Sequence, residues 1–278
     1  MSKCKIVQPV LKWVGGKRQL LNEIEKYIPN GNYKYYEPFI GGGAVFFSVQ
    51  PKNAVINDFN EELINVYMVI KNNLEELLLD LSTHKVTEEY YYEIRAIDRS
   101  EEYKSWSNIK KASRFLYLNK TCYNGLYRVN SSGYFNTPFG RYKNPNIINE
   151  TVLRAVNKYL NKNKIDIRCG DFEEALKGIR KNSFVYFDPP YEPISDSSNF
   201  TGYTANGFNQ SEQKRLKELC DRLDKKGVKF LLSNSNTEFI RTLYKDYKIE
   251  IVHANRAINS NASKRGEVEE VLIRNYEI

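Results

Sequence analysis

No stretch of the sequence is apolar over the length needed to span a bilayer. Its first residues also lack the basic, apolar and small-residue regions of a secretory signal, so the expectation is a cytoplasmic protein with no membrane association. Cysteine is sparse and scattered. Cys4, Cys122, Cys169 and Cys220 include no Cys-x-x-Cys pair, which speaks against a disulfide framework or a zinc site and leaves reduced thiols. No metal is suggested. Histidine is scarcer still, and both His84 and His253 lie outside the motifs described below, where structural or surface roles suit them better than catalysis. There is no internal repeat and no low-complexity segment.

What is present is size, aromatic surface and positive charge. The 278 residues suffice for one large α/β domain with an insertion, or for two ordinary domains. A hydrophobic content of 41% with 27% charged residues is that of a soluble globular protein, and 21 Tyr with 14 Phe supply unusual aromatic surface. The formal net charge of +8 points to a polyanionic partner such as nucleic acid, although solubility alone would also account for it.

The chain is organised around Phe184-Val185-Tyr186-Phe187-Asp188-Pro189-Pro190-Tyr191. Consecutive apolar residues, aromatic and β-branched, predict a strand buried on both faces of a parallel sheet. Asp188 then falls at the strand's carboxyl end, where open α/β sheets bind ligands, and two prolines present Asp188 and Tyr191 on a stiff turn. From these residues alone a functional acid and a plain proline turn are equally good readings.

Upstream, Lys12-Trp13-Val14-Gly15-Gly16-Lys17 leads into an amphipathic helix carrying Leu20, Leu21, Ile24, Tyr27 and Ile28 and stopped by Pro29. The glycines imitate a P-loop, but the spacing is wrong and Arg18 stands where Ser or Thr would hold magnesium, so a nucleoside-triphosphatase is set aside. Tyr35-Tyr36-Glu37 reads as a strand running through Pro38-Phe39-Ile40 into Gly41-Gly42-Gly43, glycines that let a ligand approach the backbone. About twenty residues after Glu37, a strand ends in Asn57-Asp58, placing an acid where nucleotide-binding α/β folds grip ribose hydroxyls.

Leu63, Tyr67, Ile70, Leu74, Leu77, Leu78 and Leu81 keep a helical period with a break at Asn72-Asn73. From about residue 74 to 160 the composition changes, and an inserted, mainly helical domain is expected there, leaving residues 1–73 and 161–278 as one split domain. Within the insert, Asn119 to Lys143 interleaves Arg, Lys, Asn and Tyr around Ser131-Ser132-Gly133, predicting a β-hairpin tip. Arg can hold guanine, Asn adenine, and Lys or Tyr phosphate, so DNA readout is one reading and a solvated loop the other. Beyond the insert, Ile165 to Cys169 reads as a strand, Gly170-Asp171-Phe172 as a turn into a helix, and residues 192–207 as a loop over the site. Asn209 and Glu212 suggest a capping box for a helix with Leu216, Leu219, Cys220 and Leu223 on one face. Val228 to Leu232 predicts a buried strand and Ser235 to about Tyr244 a helix. Ile249 to Val252 with Val268 to Ile273 predicts a terminal hairpin.

Taken together, these motifs resemble the Dam-type DNA adenine methyltransferases over nearly the whole chain. The resemblance rests on Lys12 to Lys17, Glu37-Pro38-Phe39 with its glycines, Asn57-Asp58, the Tyr123 to Tyr142 segment, Asp188 to Tyr191 and Asn199-Phe200-Thr201. It implies an α/β fold: a Rossmann-like, S-adenosylmethionine-dependent methyltransferase mixed sheet with an inserted, mainly helical target-recognition domain containing a β-hairpin. It also implies methyl transfer to adenine N6 in double-stranded DNA, at GATC, by base flipping. In the family's pattern Trp13 and Lys17 would line the methionine end of S-adenosyl-L-methionine. Glu37, Pro38, Phe39, Gly41 and Gly43 would lie under it, Asp58 would hold its ribose, and Asp171 and Phe172 would flank its adenine. Asp188 belongs to both the cofactor and catalytic sets, the latter completed by Pro189, Pro190 and Tyr191. Lys12, Tyr123, Asn124, Leu126, Arg128, Asn130, Pro138, Arg141, Tyr142 and Lys143 would contact DNA, with Arg128 on the first guanine. Thr121, Cys122 and Tyr127 are candidates for altering contacts with flanking sequence. A nucleoid-associated monomer or weak dimer is expected, either accompanying a restriction nuclease or acting alone. Two rival readings stand beside it: a regulator that kept the fold and lost catalysis, and an enzyme acting on cytosine N4 or RNA adenine. The intact Asp188 to Tyr191 motif argues against the first, and Asp188 in place of serine with the long insert argues against the second.

Overall fold

Strand β4 (Ser183–Phe187) is buried at every position, as its unbroken apolar run requires. The computed structural model describes residues 3–194, 208–255 and 267–278. Besides β4 it contains β1 (Lys34–Glu37), β2 (Asn53–Asp58), β3 (Lys164–Cys169), β5 (Lys229–Ser235), β6 (Lys248–Asn255) and β7 (Glu267–Arg274). Among the described residues these form one seven-stranded sheet in the order β3-β2-β1-β4-β5-β7-β6. The first five run parallel, whereas β7 pairs antiparallel with both β5 and β6. This is the mixed α/β sheet of methyltransferase type that the resemblance implied, and the terminal hairpin of β6 and β7 is present.

The helices are α1 (Leu21–Lys26), α2 (Ala44–Val49), α3 (Glu61–Asn72), α4 (Leu74–Ser82), α5 (Glu88–Ala96), α6 (Glu101–Ser105), α7 (Asn108–Thr121), α8 (Glu150–Lys162), α9 (Gln210–Lys225) and α10 (Glu238–Leu243). Side chains of a strand alternate between faces, so Phe184 and Tyr186 join one apolar layer while Val185 and Phe187 join the other. Phe46, Leu63, Tyr67, Ile70 and Val156 cover the first layer, and Leu216, Leu219, Cys220, Leu223 and Ile240 cover the second. Burial on both faces is what makes the parallel strands apolar throughout.

The expected break at Asn72-Asn73 is real: Asn73 ends α3 and precedes α4. Asn209 Oδ1 caps α9 by accepting from the Ser211 and Glu212 amides. The helix after β5 starts at Glu238, because β5 runs through Ser235. Between β2 and β3 the chain is mainly helical up to Thr121 and again from Glu150, and the apolar layer beneath the sheet continues into it through Phe115, Leu116, Tyr117 and Leu118 of α7. The core is therefore unbroken at residues 74 and 160, and α8 runs on to Lys162.

The expected hairpin is present in short form: Val129 and Phe135 make an antiparallel bridge, flanked by the Asn130 amide donating to the Tyr134 carbonyl and the Asn136 amide to the Arg128 carbonyl, with the Cys122 to Phe139 bridge below it. Its tip is closed locally, where Asn130 Oδ1 accepts from the Ser132 and Tyr134 amides. Residues 195–207, including Asn199-Phe200-Thr201 and most of the expected loop, lie outside the described residues. His84 is structural as expected, bonded to Tyr90 and Ser113 and stacked on Tyr117 at 4.4 Å.

The turn is anchored by a buried ion pair. Arg114 of α7 is 1% exposed and lies 2.9 Å from Asp98, itself 9% exposed, while Asp98 Oδ2 also accepts from the Phe135 amide at 2.8 Å. Removing one member of such a pair strands the other charge. Asp98→Ala is expected to destabilise the fold by about 3–5 kcal/mol in urea unfolding, and a loss below about 1 kcal/mol would show that the pair does not anchor this segment.

Candidate functional site

The parallel strands end along one edge of the sheet, and the expected polar residues arrive there because each follows a strand. Glu37 ends β1, Asp58 ends β2, and Asp188 follows β4 directly. Because β7 runs antiparallel, Glu270 is registered against Ser235 at the end of β5 and joins the same edge.

Asp188 pairs with Lys17, whose Nζ lies 2.8 Å from Oδ1; the two side chains are 21% and 5% exposed. Burial pushes the Asp188 carboxyl up to about 6, against the downward pull of the Lys17 ammonium. Lys17 Nζ also donates to the Gly15 carbonyl at 2.6 Å and lies 4.4 Å from the centre of the Tyr191 ring. The glycine turn before Lys17 thus aims its ammonium at the acid and the aromatic of the β4 motif. Tyr191 in turn donates its hydroxyl to Glu270 Oε2 at 2.6 Å. Gln213 of α9 donates to the Pro190 carbonyl at 3.0 Å, and the Glu192 amide donates to Asn234, which holds the turn from behind. Glu37 is buried beneath, accepts from the Tyr35 hydroxyl at 2.5 Å, and is held well above the usual carboxylate range by that burial, with Asp188 adding to the rise.

The glycine loop is packed against Trp13. A Cβ on Gly41 would stand 2.7 Å from the Trp13 indole, and one on Gly42 2.9 Å from the Trp13 Cβ, so neither position admits a side chain. Gly41 and Gly43 have φ of 47° and 72°, in the left-handed region glycine occupies readily. Asp58 Oδ2 accepts from the Gly41 amide at 2.9 Å and Oδ1 from the Asn60 amide at 3.0 Å. Burial raises its carboxyl while these amides pull it back down. A carboxylate has about four acceptor positions, so two remain for a ligand. Asn57 donates to the Pro38 and Gly170 carbonyls, tying the ends of β1 and β3 to β2. Phe39 and Phe172 pack at 5.3 Å, and Asp171 is bonded to Arg215, which lies over Phe172.

The expected nucleic-acid residues fall into groups. Buried Asn119 accepts from the Lys12 amide and donates to the Lys12 and Gly125 carbonyls, bringing the N-terminal motif against the Asn119 to Lys143 segment. There Lys12 lies 5.4 Å from the Tyr142 ring centre, and the Tyr142 hydroxyl accepts from the Asn124 amide at 3.0 Å. Arg128 pairs separately, its Nε donating to Asn136 Oδ1 at 2.8 Å. Tyr123, Pro138 and Lys143 are exposed, the Pro138 carbonyl accepting from the Tyr123 amide. Leu126 is half-buried, its carbonyl taken by Thr137, and exposed Arg141 reaches back to Glu88. The side-chain oxygen of Asn130 serves the turn, leaving its amide nitrogen for any outside partner. The expectation that Thr121, Cys122 and Tyr127 tune flanking contacts is corrected: all three are buried, and Tyr127 stacks on Trp13 at 5.4 Å and bonds to Glu62.

Three residues escaped the sequence reading. Glu270 lies in a strand whose place beside β5 the sequence pattern did not reveal. Phe59, directly after Asp58, is 64% exposed, an apolar ring left uncovered at the ligand edge; its neighbourhood to Asp58 was the available signal. Lys120 is pushed down to about 8 by burial and by the neighbouring charges of Lys12 and Arg18, a concentration of positive charge suited to an anion.

The profile of the D12 class N6 adenine-specific DNA methyltransferases matches residues 13–258. The chain is 45% identical over 279 residues to the type II methyltransferase M1.LlaDCHI of Lactococcus lactis subsp. cremoris, covering 99% of this chain and 98% of that one. It is 44% identical over 290 residues to the type II methyltransferase M.MjaIII of Methanocaldococcus jannaschii, covering 97% and 99%. With the DNA adenine methylase of Escherichia coli K12 it shares 35% identity over 262 residues, 94% and 93% of the two chains. An acid after β4, a glycine loop after β1 and an acid at the end of β2 all lie within the matched residues, and the chain belongs to the D12 class of N6 adenine-specific DNA methyltransferases.

Proposed function

We propose that the protein methylates adenine N6 within GATC in double-stranded DNA, by flipping the base against Tyr191 and transferring the methyl group directly. The observation that carries this reading is the junction of Asp188, Lys17 and Tyr191 at the carboxyl end of β4. A base inside a duplex is out of reach of such a recessed acid, so it must leave the stack, and an aromatic ring beside the acid supplies a surface for it. Stacking of that kind contributes about 1–3 kcal/mol per base. Asp188 and the Pro189 carbonyl would accept from the amino group of adenine, which counters delocalisation of its lone pair and stabilises the positive charge developing there. Tyr191 would orient the base, while Pro189 and Pro190 keep the turn from yielding.

The residues present fit S-adenosyl-L-methionine. Asp58 keeps two acceptor positions for ribose hydroxyls, exposed Phe59 offers an apolar face beside it, and the glycine loop excludes side chains. Trp13, Lys17 and the Glu37 to Gly43 turn would hold the amino-acid end, and Asp171 with Phe172 would border the adenine. When bound, the group supplies an electrophilic methyl on a sulfonium. Lys17 would then serve two anions, Asp188 and the cofactor carboxylate.

For DNA, Lys12, Arg18 and Lys120 would meet phosphate, and the Asn119 to Lys143 segment, which resembles the Dam type, would read the major groove. Residues 74–160 would form the recognition unit, on a protein working in the cytoplasm on chromosomal DNA. Incubation with radiolabelled cofactor and plasmid, followed by mapping of modified bases, tests the whole reading. N6-methyladenine confined to GATC is expected; label on cytosine N4, or adenine label outside GATC, contradicts it.

Two further outcomes follow from the geometry. Protonation of Asp188 turns one of its acceptor oxygens into a donor and removes the charge that would steady the developing cation, so kcat/KM should fall about tenfold per pH unit below about 6. Because Lys17 holds that value down, Lys17→Met should move the acid limb to higher pH, whatever it does to the plateau; a limb that stays put would separate Lys17 from Asp188. Arg128→Ala should relax selection at the first guanine by about 1–3 kcal/mol, whereas Lys143→Ala should weaken binding evenly across sites. Methylation rates on duplexes substituted at each GATC position distinguish the two, and a uniform loss in Arg128→Ala would make it a positioning residue.

A further inference from the structure

We propose that Glu270 is a positioning residue for base flipping, fixing the Tyr191 ring by holding its hydroxyl; this rests on the reading of Tyr191 as the stacking surface. Stacking needs only the ring face, yet the hydroxyl of Tyr191 is engaged by a carboxylate at 2.6 Å. The acceptor comes from a different part of the fold. Tyr191 lies on the turn after β4, whereas Glu270 belongs to β7, registered between Ser235 of β5 and Val252 of β6. A strand paired on both sides is a rigid mount, and a ring with two side-chain torsions is oriented by a contact at its tip. Burial, with Asp188 and Glu270 nearby, pushes the phenol well above its usual range, so it remains a donor. Lys17 lies over the ring face, the position a base would compete for. The hydroxyl contact is at the tip and is compatible with an occupied face.

Three variants separate the ring, the hydroxyl and the charge: Tyr191→Phe deletes the hydroxyl, Glu270→Val deletes the acceptor, and Glu270→Gln keeps a neutral acceptor. The readouts are single-turnover methylation, fluorescence of 2-aminopurine at the target adenine, S-adenosylmethionine affinity by calorimetry, and thermal melting. Tyr191→Phe and Glu270→Val should each slow methyl transfer on the order of tenfold and alter the 2-aminopurine signal, with cofactor affinity within about twofold. The double variant should be no slower than the slower single one, and Glu270→Gln should retain a rate within about threefold of the parent. A parental rate in Tyr191→Phe overturns the proposal. So does a Glu270→Gln as slow as Glu270→Val, which would mean that charge and not the hydrogen bond matters. If Glu270→Val fails to fold, Tyr191→Phe and Glu270→Gln decide the matter alone. Tyr191→Ala tells the two layers apart: a parental rate there removes the stacking role itself, whereas a slow Tyr191→Ala beside a parental Tyr191→Phe removes only Glu270.

Discussion

A carboxylate at the end of a strand buried on both faces loses most of its hydration, and in this protein Lys17 is what keeps Asp188 within reach of ionisation. That one ion pair fixes much else. Lys17 reaches Asp188 because Gly15 and Gly16 turn the chain immediately before it, and the Gly15 carbonyl holds its ammonium. Trp13, two residues earlier, packs on Gly41 and Gly42 and stacks on Tyr127, so the same short motif touches the glycine loop after β1 and the Asn119 to Lys143 segment. Positions that share so many neighbours cannot change independently.

The edge of the sheet concentrates acids: Glu37, Asp58, Asp188 and Glu270 all end there. Each is handled differently. Glu37 is buried on a tyrosine hydroxyl, Asp58 on two backbone amides, Asp188 on a lysine, and Glu270 receives the Tyr191 hydroxyl. Asp188 adds to the rise of Glu37, Glu270 adds to that of Asp188, and the Lys17 ammonium stands beside Asp188. In the proposed mechanism the two carboxylates would take distinct parts, Glu37 as a buried support and Asp188 as an acceptor at the surface of the site.

Much of this was legible in the residues. The apolar run of β4, the glycine loop after β1 and the acid at the end of β2 are local patterns with period and spacing, and the helices α3, α8 and α9 follow apolar periodicity. What was not legible is partnership across the sheet. Glu270 meets Tyr191 only because β7 inserts antiparallel between β5 and β6, and Asn119 meets Lys12 across more than a hundred positions. The hairpin tip was legible as well, since Ser131-Ser132-Gly133 is good turn chemistry; its shortness was not, because Asn130 closes the turn with its own side chain and only one bridge forms beneath it. Tyr127 and Cys122 look available in a polar, aromatic segment but are buried, because α7 carries the apolar layer of the sheet out beneath them.

The account stands most directly on the carboxylate of Asp188. The measurement is single-turnover methyl transfer by Asp188→Asn to a GATC duplex, with DNA affinity and cofactor affinity determined on the same preparation. Asparagine keeps the shape and one acceptor but not the charge, so the expected result is a rate lower by on the order of a hundredfold or more, with DNA binding close to parental. A near-parental rate, or a loss that tracks weaker DNA binding, would contradict the role given to this acid.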